Sequence, residues 1–165
     1  MVDSKNMDNL LIRPYQSEDQ KAIVGLWLQC NLAVPHNNPR LDIERKLKVN
    51  PEWFLVGLID DKIVATCMAG YEGHRGWINY LAVSPVYRRR SIATQMMEEA
   101  EKKLRAAGCP KINLQVRETN EEVIQFYETI GYSEDLVVSM GKRLVLDEPH
   151  GIEQRDADGR GKPRR

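Results

Sequence analysis

Apolar positions recur along this chain in two periods, and the switch between them marks its elements. Residues 10–15, LLIRPY, form a short apolar run that predicts a strand. Ser17 then opens a capping box, SEDQ, with Gln20 at its third helical position, and Ile23, Leu26 and Trp27 follow at helical spacing. NLAVPHNNP breaks that helix with prolines and asparagines, and LDIERKL predicts a second, short one. The period then changes. WFLVGLI and KIVATCMAG are apolar runs separated by DDK, the signature of a hairpin. YEGHRG reads as a polar turn, and WINYLAV as a further strand stopped by Ser84-Pro85.

A helix from Ser91 to Ala107 comes next. Its apolar face is Ile92, Met96, Ala100 and Leu104, each four residues on, and Gly108 ends it as a left-handed cap. KINLQV predicts a strand. TNEE is a capping box of Thr119 with Glu122, opening a helix that runs through Ile130 and closes at Gly131. LVVSMGKRLV ends the fold as one or two strands. The strand–helix–strand unit over 77–116 implies a parallel pair, because a crossover helix returns the chain in the same direction, while the hairpins around it are antiparallel. The expectation is a mixed, α+β sheet in a single domain over residues 8–146. Residues 147–165 carry few apolar side chains and are expected to be disordered.

Composition narrows the partners. With 24 basic and 24 acidic residues among 165, the formal net charge is +0, so no overall field draws nucleic acid. Three cysteines lie far apart without metal-ligand spacing, which argues against a disulfide framework or a metal site and fits a reducing cytoplasm. The first ten residues lack the apolar region of a signal peptide, and no apolar run is long enough to span a bilayer.

Against that neutral background, SPVYRRRSIAT places Arg88, Arg89 and Arg90 directly before a helix. A helix N-terminus leaves its first N–H groups unpaired and carries about half a positive charge. Cations beside free amides suit a pyrophosphate better than a carboxylate. The plainer reading is that three loop arginines are simply solvated and that Ser91 is an ordinary N-cap. No aromatic stripe accompanies the run, which disfavours single-stranded nucleic acid.

The segment LAVSPVYRRRSIATQMM resembles the acyl-CoA-binding motif of the GNAT superfamily of N-acetyltransferases, V-x-P-x-[YF]-[RQ]-[RG]-x-G-[IL]-[GA]. Val83, Pro85, Tyr87, Arg88, Ile92 and Ala93 match it. NEEVIQFYETIGY is similar to the second signature, N-x-x-A-x-x-F-Y-x-x-x-G-[FY], with Asn120, Phe126, Tyr127, Gly131 and Tyr132 matching. The runs YEGHRG, GCPKIN and GKRL resemble the bacterial YpeA branch.

The resemblance implies a GNAT fold: a central mixed, largely antiparallel sheet of about six to seven strands, flanked by about four helices. It implies acetyl-CoA as co-substrate, with the pyrophosphate on Arg88, Arg89, Arg90, Ser91, Ile92, Ala93 and Thr94. The pantetheine arm would pair along Leu81, Ala82 and Val83, beside two splayed central strands, with Asn120 and Tyr127 completing the site. One departure is Ser91, where the family carries glycine. Its Cβ crowds a phosphate while its hydroxyl can donate to one. Arg89 likewise stands at a frequent glycine.

The same resemblance makes Tyr127 the candidate general acid, its alternative being an amphipathic core residue. A phenol near ~10 and a thiol near ~8.5 leave proton transfer to the thiolate uphill by roughly 2 kcal/mol, a gap that desolvation of the thiolate shrinks. The base is less legible. In the branch that acetylates ribosomal protein N-termini, a glutamate stands where this chain has Gln115, and Trp77 occupies another position where an acid is found. Glu72, His74 and Glu118 remain as candidates. Deprotonating a lysine ammonium at pH 7 costs about 4.6 kcal/mol, against about 1.4 for an α-amine. A site without a strong base therefore favours a weakly basic primary amine, on a small molecule or a protein N-terminus.

The resemblance places the acceptor side at the first helices and their loop, NLAVPHNNPRLDIERK, whose Asn38, Asp42 and Arg45 either face an acceptor or cap and pair on the surface. Two other readings stand beside the enzyme: a CoA-binding sensor without turnover, and an RNA-binding protein using Arg88–Arg90. The preferred expectation is a cytoplasmic enzyme, monomeric or homodimeric, with no metal, nucleic acid or membrane partner.

Overall fold

The structure is a computed structural model that describes residues 9–148. Its order is β1 (Leu11–Pro14), α1 (Gln20–Gln29), α2 (Pro39–Lys46), β2 (Phe54–Ile59), β3 (Lys62–Tyr71), β4 (Gly76–Val83), α3 (Ile92–Ala106), β5 (Ile112–Asn113) and α4 (Glu121–Thr129). The five strands form one sheet in sequence order. β1 through β4 pair antiparallel, and β5 joins β4 in parallel. This is the mixed α+β arrangement that the period changes predict.

β2 is buried along its whole length because the sheet is covered on both faces. One core lies between the sheet, α3 and α4 and contains Leu55, Cys67, Ile92, Met96, Leu104 and Tyr127. The other lies under α1 and α2 and contains Ile23, Trp27, Ile43, Phe54 and Val56. The β2–β3 hairpin turns through Asp60 and Asp61, both at positive φ (47° and 60°). That mirror-image turn matches the right-handed twist of its strands.

Three expectations change. The sheet has five strands among the described residues, not six or seven. Residues 136–145, expected as strand, carry Leu136, Val138, Met140 and Leu144 at 86–96% exposure and join no ladder. KINLQV contributes only the two residues of β5. A strand needs a neighbour's edge as well as β-forming residues, and β5 is too short to offer one. The capping boxes also shift. Asp19, not Gln20, closes the first, accepting the Gln16 N–H at 2.8 Å. Asn120, not Thr119, is the N-cap of α4, and it makes no side-chain cap bond. The predicted tail lies outside the described residues from 149 onward, as do residues 1–8 of the N-terminal segment.

Candidate active site

The sheet opens where β4 and β5 part. Their pairing is limited to Gly76↔Ile112 and Trp77↔Asn113. From Ile78 to Val83 the β5 side of β4 has no strand partner among the described residues. On the other side, Ser84 N–H donates to Val64 C=O at 2.8 Å, and Val83 stands opposite Ala65. Hydrogen-bonded pairs alternate along an antiparallel ladder, so the N–H and C=O of Val83 point away from β3, into the fork. Its carbonyl already accepts from Arg88 Nε (3.3 Å) and Cys30 Sγ (3.4 Å), which leaves the amide.

A bulge shapes the strand just before this point. The β3–β4 register shifts between Thr66 and Met68, where Tyr80 and Leu81 together face Cys67, and Tyr80 takes φ 50°. A bulky residue in the left-handed region needs support. Thr66 Oγ1 donates to Tyr80 C=O at 2.8 Å, and Trp27 Nε1 donates to Thr66 Oγ1 at 2.9 Å. The Tyr80 ring stacks on Trp27 with centroids 3.9 Å apart, and its hydroxyl donates to Asp42 Oδ2 at 2.6 Å. Sequence reasoning missed this network, because Trp27, Thr66 and Tyr80 lie on three different elements.

Below the fork, α3 begins without a side-chain cap. Ser91 is its N-cap at φ 58° and makes no cap bond. The first intrahelical bond of the chain here is Gln95 N–H to Ser91 C=O at 3.1 Å, so the amides of Ile92, Ala93 and Thr94 are the orphan donors of this end. Ile92's side chain is buried in the core, leaving only its backbone to a ligand. Arg89 is also left-handed, at φ 62°. The two positions where the family pattern carries glycine are thus both at positive φ. Glycine there serves the backbone conformation as well as close approach.

The three arginines diverge. Arg88 turns back onto Val83 C=O and Cys30. Arg89 is exposed, 4.0 Å from Glu122 on α4. Arg90 lies over the Tyr87 ring, 5.2 Å from its centroid. Asn120 is exposed at the neighbouring uncapped end of α4.

Tyr127 on α4 is 8% exposed and packs against Phe126 and Tyr132. Its hydroxyl has no hydrogen-bond partner among the described residues, unlike that of Tyr132, which donates to Glu101 at 2.9 Å. Burial, with the Cys67 thiol second, pushes the Tyr127 hydroxyl well above the ordinary phenol range. It is a weaker acid than the sequence argument assumes.

The base candidates do not converge. Glu72 accepts the N–H groups of Arg75 (2.6 Å) and His74 (2.8 Å), which hold its carboxyl below the ordinary range and make it a turn-former. His74 is exposed beside Arg75, and Glu118 is exposed. Trp77 is half-exposed, and the Gln115 amide donates to Ser139 Oγ. On the acceptor side, Asn38 caps α2, its Oδ1 accepting from Arg40 N–H at 3.0 Å. Asp42 accepts from Tyr80 and Arg45, and Arg45 also pairs with Asp147. No three metal-ligating side chains cluster among the described residues, and no helix among them is long and apolar enough to cross a membrane.

Comparison with known proteins bears on the family and the fold. The model of the acetyltransferase (GNAT) family matches residues 8–132. An acetyltransferase of Yersinia pseudotuberculosis is 45% identical over 139 residues, covering 84% of this chain and 99% of that one. One of Pectobacterium atrosepticum is 46% identical over 136 residues, covering 82% and 96%. Among solved structures, the aminoglycoside acetyltransferase AAC(6')-Iy, in complex with a CoA bisubstrate analogue, superposes with a TM-score of 0.68 at 18% identity over 82% of this chain and 99% of that one. Ard1 of Thermoplasma volcanium gives 0.65 at 21% identity over 75% and 82%.

Proposed function

Because the chain belongs to the acetyltransferase (GNAT) family, we propose that it is an N-acetyltransferase moving an acetyl group from acetyl-CoA to a primary amine, with Tyr127 as the general acid. The observation that carries this reading is the fork. A bare β4 edge ends at the uncapped start of α3, with a buried, unpartnered tyrosine hydroxyl in the adjoining core.

The residues fit the donor. The amides of Ile92, Ala93 and Thr94 offer hydrogen bonds to a pyrophosphate, and the helix end favours negative charge. Arg89 and Arg90 add positive charge there, Ser91 offers its hydroxyl, and Asn120 stands at the next helix start. Arg88 holds Val83 C=O and so helps to fix the strand end. Leu81, Ala82 and Val83 line the open edge, with the Val83 N–H free to bond the pantetheine amides.

The donor supplies an acetyl group already activated as a thioester. The acceptor amine attacks its carbonyl directly, in neutral form. The C–S bond breaks as Tyr127 donates its hydroxyl proton to the departing sulfur, and the proton that the nitrogen sheds on becoming an amide returns to Tyr127 through water. In a site dry enough to raise the phenol, the thiolate is raised as well, which keeps that donation feasible. Among the described residues no carboxylate at the fork is placed as a base, so the amine arrives neutral or loses its proton through water. That favours weakly basic amines over lysine side chains.

Thiol release from acetyl-CoA against an amine panel tests this. Tyr127→Phe is expected to lower kcat about 100-fold while leaving the KM for acetyl-CoA within about twofold. Unchanged kcat in that variant would remove Tyr127 from the chemistry. CoA binding with no turnover on any amine would replace the enzyme with a sensor.

A further inference from the structure

α2 and the segment after α4 form a shallow cleft lined by Arg45, Asp147 and residues 141–145. Two hydrogen bonds connect it to the β4 bulge. Arg45 Nη1 donates to Asp42 Oδ1 at 3.1 Å, and the Tyr80 hydroxyl donates to Asp42 Oδ2 at 2.6 Å. The cleft therefore lies on the acceptor side, one residue removed from the strand that carries Leu81 and Val83.

Its charges do not cancel. Three cations, Arg45, Lys142 and Arg143, line it with one carboxylate, Asp147. Arg45 is committed to Asp42 and Asp147. Arg143 donates only to neutral oxygens, His36 C=O and Asn37 Oδ1, both at 3.2 Å. Lys142 makes no hydrogen bond or ion pair among the described residues. Asp147 is anchored by Arg45 and by the Asn38 N–H at 2.9 Å, and the Arg143 charge acts on it without a hydrogen bond. One carboxylate thus faces three cations, and neither Lys142 nor Arg143 hydrogen-bonds a carboxylate among the described residues.

Resting on the transferase reading above, we propose that this cleft binds an anionic group, a carboxylate or a phosphate, carried by the acceptor amine, with Lys142 and Arg143 as its binding residues. A guanidinium and an ammonium side by side suit an oxyanion, and either contact is charge-assisted. A polycationic acceptor would meet like charge there. Two cations without a stacking aromatic are too few for a nucleic-acid strand.

Acceptors of matched skeleton test it: β-alanine against its amide, and 2-aminoethanol against its phosphate ester, each by thiol release from acetyl-CoA. The anionic member of each pair is expected to be preferred on the order of tenfold in kcat/KM, carried by KM and shrinking at high salt. Which pair shows the larger ratio separates carboxylate from phosphate. Lys142→Ala with Arg143→Ala should bring the ratios close to one, whereas Lys62→Ala, on the distant β2–β3 hairpin, should keep them. With rates taken per neutral amine, because each anion raises the pKa of its own amine, equal or reversed preference in the wild type, or a ratio that survives the double substitution, overturns the proposal. Should no amine turn over, the transferase reading fails separately. Titration of β-alanine and of inorganic phosphate into the full chain then decides the cleft: binding lost in the double variant supports it, and no binding, or binding unchanged by the substitutions, refutes it.

Discussion

Of the seven described non-glycine residues at positive φ, Ser91 and Tyr80 bear most directly on the site. Ser91 sits at φ 58° at the head of α3, where a Cβ costs about 1 kcal/mol. Ser91→Gly removes that strain, and glycine's greater freedom in the unfolded chain returns part of it. The expected net gain is about 0.5 kcal/mol in denaturant unfolding, with tighter CoA binding by calorimetry. A loss of stability would show that the Ser91 side chain contributes something its conformation does not reveal. Tyr80, at φ 50°, is held by Thr66 and Trp27. Thr66→Val keeps the shape and deletes the hydroxyl, stranding the buried Trp27 N–H and the Tyr80 carbonyl. Unfolding should become easier by about 2 kcal/mol, and kcat/KM should fall because the bulge loses its brace. Equal activity at lower stability would confine the network to folding.

At the scale of elements, the C-terminal segment is tied to α2 by one carboxylate. Hydrogen bonds from Arg45, then from the Asn38 N–H, hold Asp147 at a pKa of about 2, below its ordinary value. A depressed carboxyl stabilises the tie above its unfolded pKa, and the contribution is lost as pH falls from roughly 4 through the folded value. The Asn38 amide resonance should therefore titrate with a midpoint near pH 2. A midpoint near 4 would mean that Asp147 is not engaged.

Elements also show what a sequence can and cannot disclose. The face of α3 was legible because Ile92, Met96, Ala100 and Leu104 obey one local period, and all four are buried. The hairpin was legible because Asp60 and Asp61 suit a mirror-image turn. Residues 136–145 carry six apolar side chains in ten but join no ladder, because pairing depends on a partner that no local pattern names. The bulge was hidden for the same reason: its supports come from residues 14 and 39 positions apart in each bond. The motifs marked the start of α3 and Tyr127 but gave no hint that Arg88 turns back onto the Val83 carbonyl.

In the whole molecule, the link between β4 and β5 is the narrowest seam of the sheet: two residue pairs, against the long ladders joining β2, β3 and β4. β5 can part from β4 along that seam, while α4 stays seated in the core through Tyr127. A thioester donor lying along the Val83 edge would supply the rungs that the parting strands lack and act as a splint across two plates. Its grip then reports on rigidity as much as on recognition, and the amides of Leu114 to Val116 should exchange with solvent more slowly once CoA is present. Unaltered exchange there would mean that the plates were already locked before anything arrived.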